Sequence, residues 1–317
     1  MENDGFNLRT AIFPLDVTMP SIVNLQDILL TDWNKEWLPQ VMEVLVYFTA
    51  VYLIGLTLYH VTRISFPSVM SEYVFDFVKT MTICAYSIGM ILVRINFGDV
   101  WFILVLVPLI LLTVITIPGE ATPVTIWVQY FHNRLSVPTV LIKTTVLMIS
   151  GVAAFWVGIV VLKLNLHDIL FGFKYSTVLP TMCSSALNVP LYQGFVLEML
   201  AVMYDSWFIV QKLSPNLLLD AAFKISNTGL LVIAGSHLTG MFMHPPKASG
   251  LTFGCGQTSY FNHILVYWIG PLVGAWLSAK LQKRLRLSWT SDDVATQESR
   301  QSSVKKAKQA QKKRHYD

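Results

Sequence analysis

Seven stretches of roughly twenty mostly apolar residues recur along this chain, each long enough to cross the hydrocarbon core of a bilayer. They fall at 41–62, 73–95, 100–117, 139–164, 192–212, 217–237 and 262–281. Lipid offers the backbone no hydrogen-bond partner, so spans of this length read as helices that satisfy their own N–H and C=O groups. The rest of the composition agrees: of 317 residues, 54% are hydrophobic and only 13% charged, against about 25% charged in a soluble domain. An all-α membrane protein is expected. So apolar a chain leaves no place for a water-filled catalytic cleft, and no enzyme is expected. Three cysteines are too few for a disulfide scaffold. The first forty residues lack the basic-then-apolar pattern of a secretory signal, so insertion is expected to rely on a retained span.

Charge sets the expected orientation. The first forty residues carry two basic residues, Arg9 and Lys35, against six acidic ones, whereas from Lys280 onward eleven basic residues stand against four acidic. Basic residues favour the cytosolic side, which puts the C-terminus in the cytosol. Seven spans then put the N-terminus outside or in a lumen and Arg63 in the cytosol. The stretch 288–317, with Lys305, Lys306, Lys308, Lys312, Lys313 and Arg314 among Gln and Ser, is too polar to bury a core and is expected to be disordered. The net charge of +4 sits almost entirely in that tail, so no folded nucleic-acid-binding surface is expected; attraction to anionic lipid is a sharper use for it.

Two further apolar stretches, 123–131 and 245–254, are about half as long as a spanning helix needs to be, and both begin at proline. Alone, each reads either as a surface loop or as a re-entrant half-helix buried among other helices. Register favours the second. Asp76 in the second span precedes the pair Thr122-Pro123 by 46 residues, Glu198 in the fifth precedes His244-Pro245 by 46, and an offset of 122 relates the two sets. Each half then reads as span, span, half-helix, span. Three crossings are odd, so two consecutive copies insert with opposite orientation, the plan that places a site at the bilayer midplane between discontinuous helices. The expected organisation is an extramembrane segment 1–40, an extra transmembrane helix 41–62, a first repeat 73–164, an inter-repeat loop 165–191, a second repeat 192–287 and the tail 288–317.

A carboxylate inside a span is costly and is expected to face the bundle interior with a hydrogen-bonding partner. The first N–H groups of a half-helix at the midplane need acceptors that lipid cannot supply. Asp76 and Glu198 are expected to be those acceptors. Thr122 is a good N-cap with Pro123 at the first helical position, and His244 with Pro245 repeats the arrangement with a weaker cap.

The stretch 235–247, GSHLTGMFMHPPK, followed by 264–275, ILVYWIGPLVGA, resembles the last third of an aquaporin. The familiar pattern there is Thr-Gly, three residues, Asn-Pro-Ala and often Arg, then a final helix with Tyr-Trp and Gly-Pro. Thr239-Gly240, Tyr267-Trp268 and Gly270-Pro271 are in place, whereas Asn-Pro-Ala is replaced by His244-Pro245-Pro246 and, in the first half, by Thr122-Pro123-Val124. Such altered motifs, with cysteines near each end of the second half, resemble the unorthodox aquaporins, or superaquaporins, over about 73–281. The implied fold is an aquaporin-like inverted repeat of six spanning helices plus two re-entrant half-helices, with one extra N-terminal helix.

The resemblance also implies residue roles. The half-helix caps meet at the pore centre, where the family's asparagines offer N–H donors to solute and both positive dipole ends repel cations. Thr122 and His244 take those places, and a hydroxyl and an imidazole can each donate. The family's outer constriction falls by spacing on Phe102, Val232 and Lys247, with Met241 also lining it. Lys has a flexible stem where Arg presents a planar fork, so with Val232 and Met241 apolar a wider, greasier constriction suits glycerol or hydrogen peroxide. Topology puts Cys183 and Cys255 on the same oxidising face, and the superaquaporin pattern, with cysteines at about these two places, implies a Cys183–Cys255 disulfide; two free cysteines are the alternative. Cys84, within a span, is expected to be a buried thiol.

His60, His132, His167, His237, His263 and His315 show no ligand spacing, so neither metal nor cofactor is expected. Gly270 with Gly274, and Gly151 with Ala154 and Gly158, mark close helix approach. Asp205 and Asp220 read as solvated span ends, and Trp33, Trp37, Trp101, Trp268 and Trp289 as an interfacial belt. The expected partners are the lipid bilayer, water or a small neutral solute, and further copies in the family's usual homotetramer, in the endoplasmic reticulum, another internal membrane or the plasma membrane. The leading reading is a passive channel. Its competitors are a non-conducting structural or interaction protein of the same fold and, more distantly, a coupled transporter with Asp76 and Glu198 as ion-linked carboxylates.

Overall fold

A computed structural model of the chain describes residues 37–172, 185–256 and 258–285. The expected N-terminal segment up to residue 36, Cys183 with its neighbours 173–184, and the basic tail from 286, with Trp33, Trp289 and His315, lie outside the described residues. The described residues are helical, with no strand among them. Helix α1 is Trp37–Ser65 and α2 is Ser68–Thr116. Half-helix α3, Pro123–Phe131, leads into α4, Val137–Lys163, and a short α5, Leu166–Phe171. The second half contains α6, Leu191–Ile209, α7, Leu217–Thr239, and half-helix α8, Pro245–Thr252. The last span runs as α9, Tyr260–Ile264, a π-helical turn, Leu265–Ile269, and α10, Gly270–Arg284.

Five of these helical stretches are long and apolar enough to cross a membrane. One of them, Met70–Thr116, is 47 residues long, enough for two crossings at about 1.5 Å per residue. Its interruption is Gly98, at φ 83° and ψ −175°, a backbone that only glycine adopts cheaply. The second and third expected spans are therefore the two arms of one folded-back helix. Helix α6 reaches 19 residues but carries Glu198 and Asp205, which lowers its apolarity.

Close approach is built from small residues. A Cβ on Gly151 of α4 would lie 2.2 Å from the carbonyl oxygen of Pro246 in α8, and one on Gly250 would lie 2.3 Å from the carbonyl oxygen of Gly151. Gly274 does the same for α10 against α6, where a Cβ would meet the Met199 carbonyl oxygen at 2.4 Å. Half-helix α8 packs on α4 and half-helix α3 on α10, so each half-helix is held by the last helix of the other repeat. The extra helix α1 lies against α2 and α4, where Tyr47, Phe48 and Tyr86 pack edge to face and the Tyr47 hydroxyl donates to the Ala85 carbonyl at 2.7 Å.

Three readings need correction. Asp205 and Asp220 are buried, not solvated: Asp220 accepts the N–H groups of Leu213 and Ser214 and pairs with Lys224, closing the turn into α7. Trp268 is not a free belt residue, since its Nε1–H donates to Ser249 Oγ of α8 at 2.9 Å. The inter-repeat loop contains α5, a helix too short to announce itself by apolar periodicity.

Candidate functional site

The two half-helices start face to face. Thr122, extended at φ −151°, caps α3 by accepting the Val124 N–H at 3.3 Å, and Pro123 fills the first helical position, where no N–H is needed. His244, extended at φ −141°, caps α8 by accepting the Lys247 N–H on Nδ1 at 3.2 Å, ahead of Pro245 and Pro246. Its Nε2 lies 2.7 Å from the Ala121 carbonyl oxygen. A carbonyl only accepts, so Nε2 carries the proton and ties the second half-helix to the lead-in of the first.

That geometry corrects the expectation of a pore-facing donor at His244. An imidazole has two nitrogens, and here one caps and the other braces. Thr122 spends only an oxygen lone pair on its cap, so its O–H takes no part in the cap. Cys84 Sγ lies 3.9 Å from His244 Nδ1, and the thiol is free and buried.

Asp76 and Glu198 grip the chain just before each half-helix instead of the first helical turn. Asp76 Oδ1 accepts the Glu120 N–H at 2.7 Å, and Glu198 Oε1 accepts the Phe242 N–H at 3.0 Å. The offset of 122 holds at the level of this single contact. Glu198 Oε1 also accepts the Thr239 hydroxyl and Oε2 the Met243 N–H. It thereby steadies Met241 and Met243, both at positive φ, a region that costs a non-glycine residue on the order of 1–3 kcal/mol. On the Asp76 side Gly119 takes the position of Met241 and is likewise at positive φ. Asp76 Oδ2 receives Lys143 Nζ of α4 at 2.8 Å, and the same ammonium reaches Glu72 at 2.6 Å. Lys143 escaped the sequence reading because a lone lysine in an apolar span does not reveal its partner.

A single cavity of about 1280 Å³ passes this junction and is lined by both half-helices. Thr122, Val124, His244 and Lys247 line it, as do Phe102 and Val232. Met241 does not: it turns onto Gly235, and Met243 and Phe242 form the wall in its place. Lys247 Nζ sits 5.7 Å over the Phe242 ring, with no hydrogen-bond acceptor among the described residues. Arg94, which the sequence reading passed over, lines the same end, held by Asp99 at 2.6 Å and by the Ser236 hydroxyl. The opposite end is lined by Asp205, Gln211, His132 and Gln282.

Near the Lys247 end, Cys255 is disulfide-bonded; Cys183, its expected partner, lies outside the described residues. Among the described residues no group of three or more His, Cys, Asp or Glu side chains gathers at metal-binding distance.

No protein-family model matches the chain. It is 25% identical over 190 residues to aquaporin-12B of Homo sapiens, 59% of this chain and 63% of the relative, with the same figures for human aquaporin-12A. The match thus spans under two thirds of the relatives' length. Aquaporin-11 of the tardigrade Milnesium tardigradum is 27% identical over 35% of this chain and 40% of its own. Aquaporin SIP2-1 of Oryza sativa subsp. japonica is 31% identical over 20% of this chain and 27% of its own. With these relationships and two half-helices meeting amid inverted repeats, the chain is a multi-pass membrane protein similar to aquaporins of the unorthodox, superaquaporin type.

Proposed function

We propose that the chain is a passive channel that lets water and small neutral solutes, such as glycerol or hydrogen peroxide, move down their gradients. The observation that carries this reading is the one cavity that passes both half-helix N-termini. The positive dipole ends meet there, and Arg94 and Lys247 add charge at one end, an arrangement that disfavours cations and leaves neutral molecules. Phe102, Val232 and Met243 make the approach to the centre apolar, which suits a solute less dependent on donors than water.

The non-conducting alternative has its own support in the His244 to Ala121 bond, which places an imidazole across the junction. Stopped-flow swelling of proteoliposomes under water, glycerol and peroxide gradients separates the two: accelerated flux supports the channel, and rates equal to protein-free liposomes support the structural role. Asp76 and Glu198 act as supports of the half-helices in either reading. The homotetramer follows the family resemblance and is checked by native mass spectrometry. An internal membrane such as the endoplasmic reticulum, with the C-terminus cytosolic, fits the disulfide at Cys255, which needs an oxidising compartment on the half-helix α8 side.

A further inference from the structure

One buried carboxylate in the cavity is not used up by the fold. Asp205 lies on α6 and is buried, and it is the one acidic side chain that lines the cavity among the described residues. Its Oδ1 accepts the Thr228 hydroxyl at 2.7 Å and the Asn227 amide N–H at 3.3 Å, both from α7. No described residue donates to Oδ2.

Gln282 and His132, which line the same cavity, are committed to other partners. The Gln282 amide nitrogen donates to the Ser206 carbonyl at 3.1 Å and the Ser278 hydroxyl at 3.0 Å. Its oxygen takes the His132 Nε2–H at 2.9 Å. Oδ2 is open to the cavity that Asp205 lines, so its donor comes from whatever occupies that space. Beside Asp205, Ser206 and Thr228, on the same two helices, Val202 and Ile209 of α6 and Ile225 of α7 give the cavity an apolar wall. Water satisfies the oxygen and leaves that wall unfilled. A molecule with hydroxyls and C–H groups side by side satisfies both.

We infer that Asp205 is a solute-selecting residue for neutral polyols, with Oδ2 accepting a solute hydroxyl at a site on the far side of the half-helix junction from Lys247. The inference rests on the channel reading for its transport consequence and not for binding. A charge-assisted hydrogen bond is roughly twice as strong as a neutral one, so Asp205→Asn keeps the volume and weakens the grip on the solute.

Two measurements on the full-length protein in liposomes test it. The first labels Asp205 with a membrane-permeant carbodiimide, read by mass spectrometry, in glycerol or in iso-osmolar sucrose, which is too large to enter. Glycerol is expected to slow labelling several-fold and sucrose to leave it unchanged; equal labelling in the two overturns the site. The second compares glycerol and water permeability. Asp205→Asn is expected to lower the glycerol-to-water ratio several-fold with an unchanged unfolding temperature. If Asp205→Asn and Thr228→Val both lower the unfolding temperature and leave the ratio alone, Asp205 is only a staple between α6 and α7, and the inference is wrong. Protection by glycerol in a protein that passes no solute supports the site and removes the channel reading. Flux without protection, with an unaltered ratio in Asp205→Asn, does the reverse.

Discussion

Glu198 places both carboxylate oxygens against donors: the Thr239 hydroxyl and Phe242 N–H on one, the Met243 N–H on the other. An amide has only one accepting end. Glu198→Gln therefore turns an N–H toward an N–H and is expected to destabilise almost as much as Glu198→Ala, by about 1–3 kcal/mol or more, read as a lowered unfolding temperature of the purified protein. A Gln variant as stable as wild type would refute this account of the contact. Asp76 sits between an N–H and the Lys143 ammonium, so its loss also leaves that ammonium with Glu72 as its remaining carboxylate partner. Asp76→Asn is expected to be unstable, and Asp76→Asn with Lys143→Met to recover part of that loss, because removing both partners of a buried pair is milder than removing one. A double variant no better than additive would contradict the pairing.

At this scale the sequence is legible where a residue type is improbable in its setting. Two carboxylates in apolar spans at a shared offset demand partners, and a proline after a possible cap marks a helix start. What sequence does not report is which backbone atom lies opposite. The commitment of His244 Nε2 depends on the Ala121 carbonyl, 123 residues away, and no pattern of side chains announces a carbonyl. Asp205 escaped for a related reason: its distance from the end of its span suggests water, whereas helix packing sets its burial.

Among elements, the half-helices depend on backbone contact with their neighbours. Gly151 and Gly250 let α4 and α8 touch main chain to main chain. Gly151→Ala must push a carbonyl aside, which a side chain cannot do for it, and is expected to cost about 1–3 kcal/mol. Gly158→Ala meets only side-chain atoms of Ile88 and Tyr47 and is expected to cost less. Thermal unfolding of the two variants checks the order, and equal losses would contradict it. The small-residue spacing in α4 is visible in the sequence; that it packs on α8 is not, because no side-chain pattern names the backbone that a glycine meets. Likewise the break at Gly98 reads from sequence as an ordinary loop between two spans, while the structure keeps helix up to it on both sides.

The whole molecule joins an inverted repeat to an extra helix α1 and leaves a cavity through the junction. The repeat is legible because a fixed offset survives even where Asn-Pro-Ala does not. The cavity is not, since its walls come from residues scattered over α2, α6, α7 and both half-helices. The orientation gives a further expectation: with the C-terminus cytosolic, a glycosylation reporter placed before Met1 becomes modified, and an unmodified reporter would contradict the seven-span count.

The central claim is that small neutral molecules cross through this cavity. Stopped-flow permeability of proteoliposomes containing the wild-type chain or Val232→Trp, whose indole fills the cavity at a lining position, tests it most directly. The account predicts faster water or glycerol flux than in protein-free liposomes for the wild type, and a return to the protein-free rate for Val232→Trp in a normally folded protein. Wild-type flux equal to protein-free liposomes, or flux that Val232→Trp leaves unchanged, would contradict it.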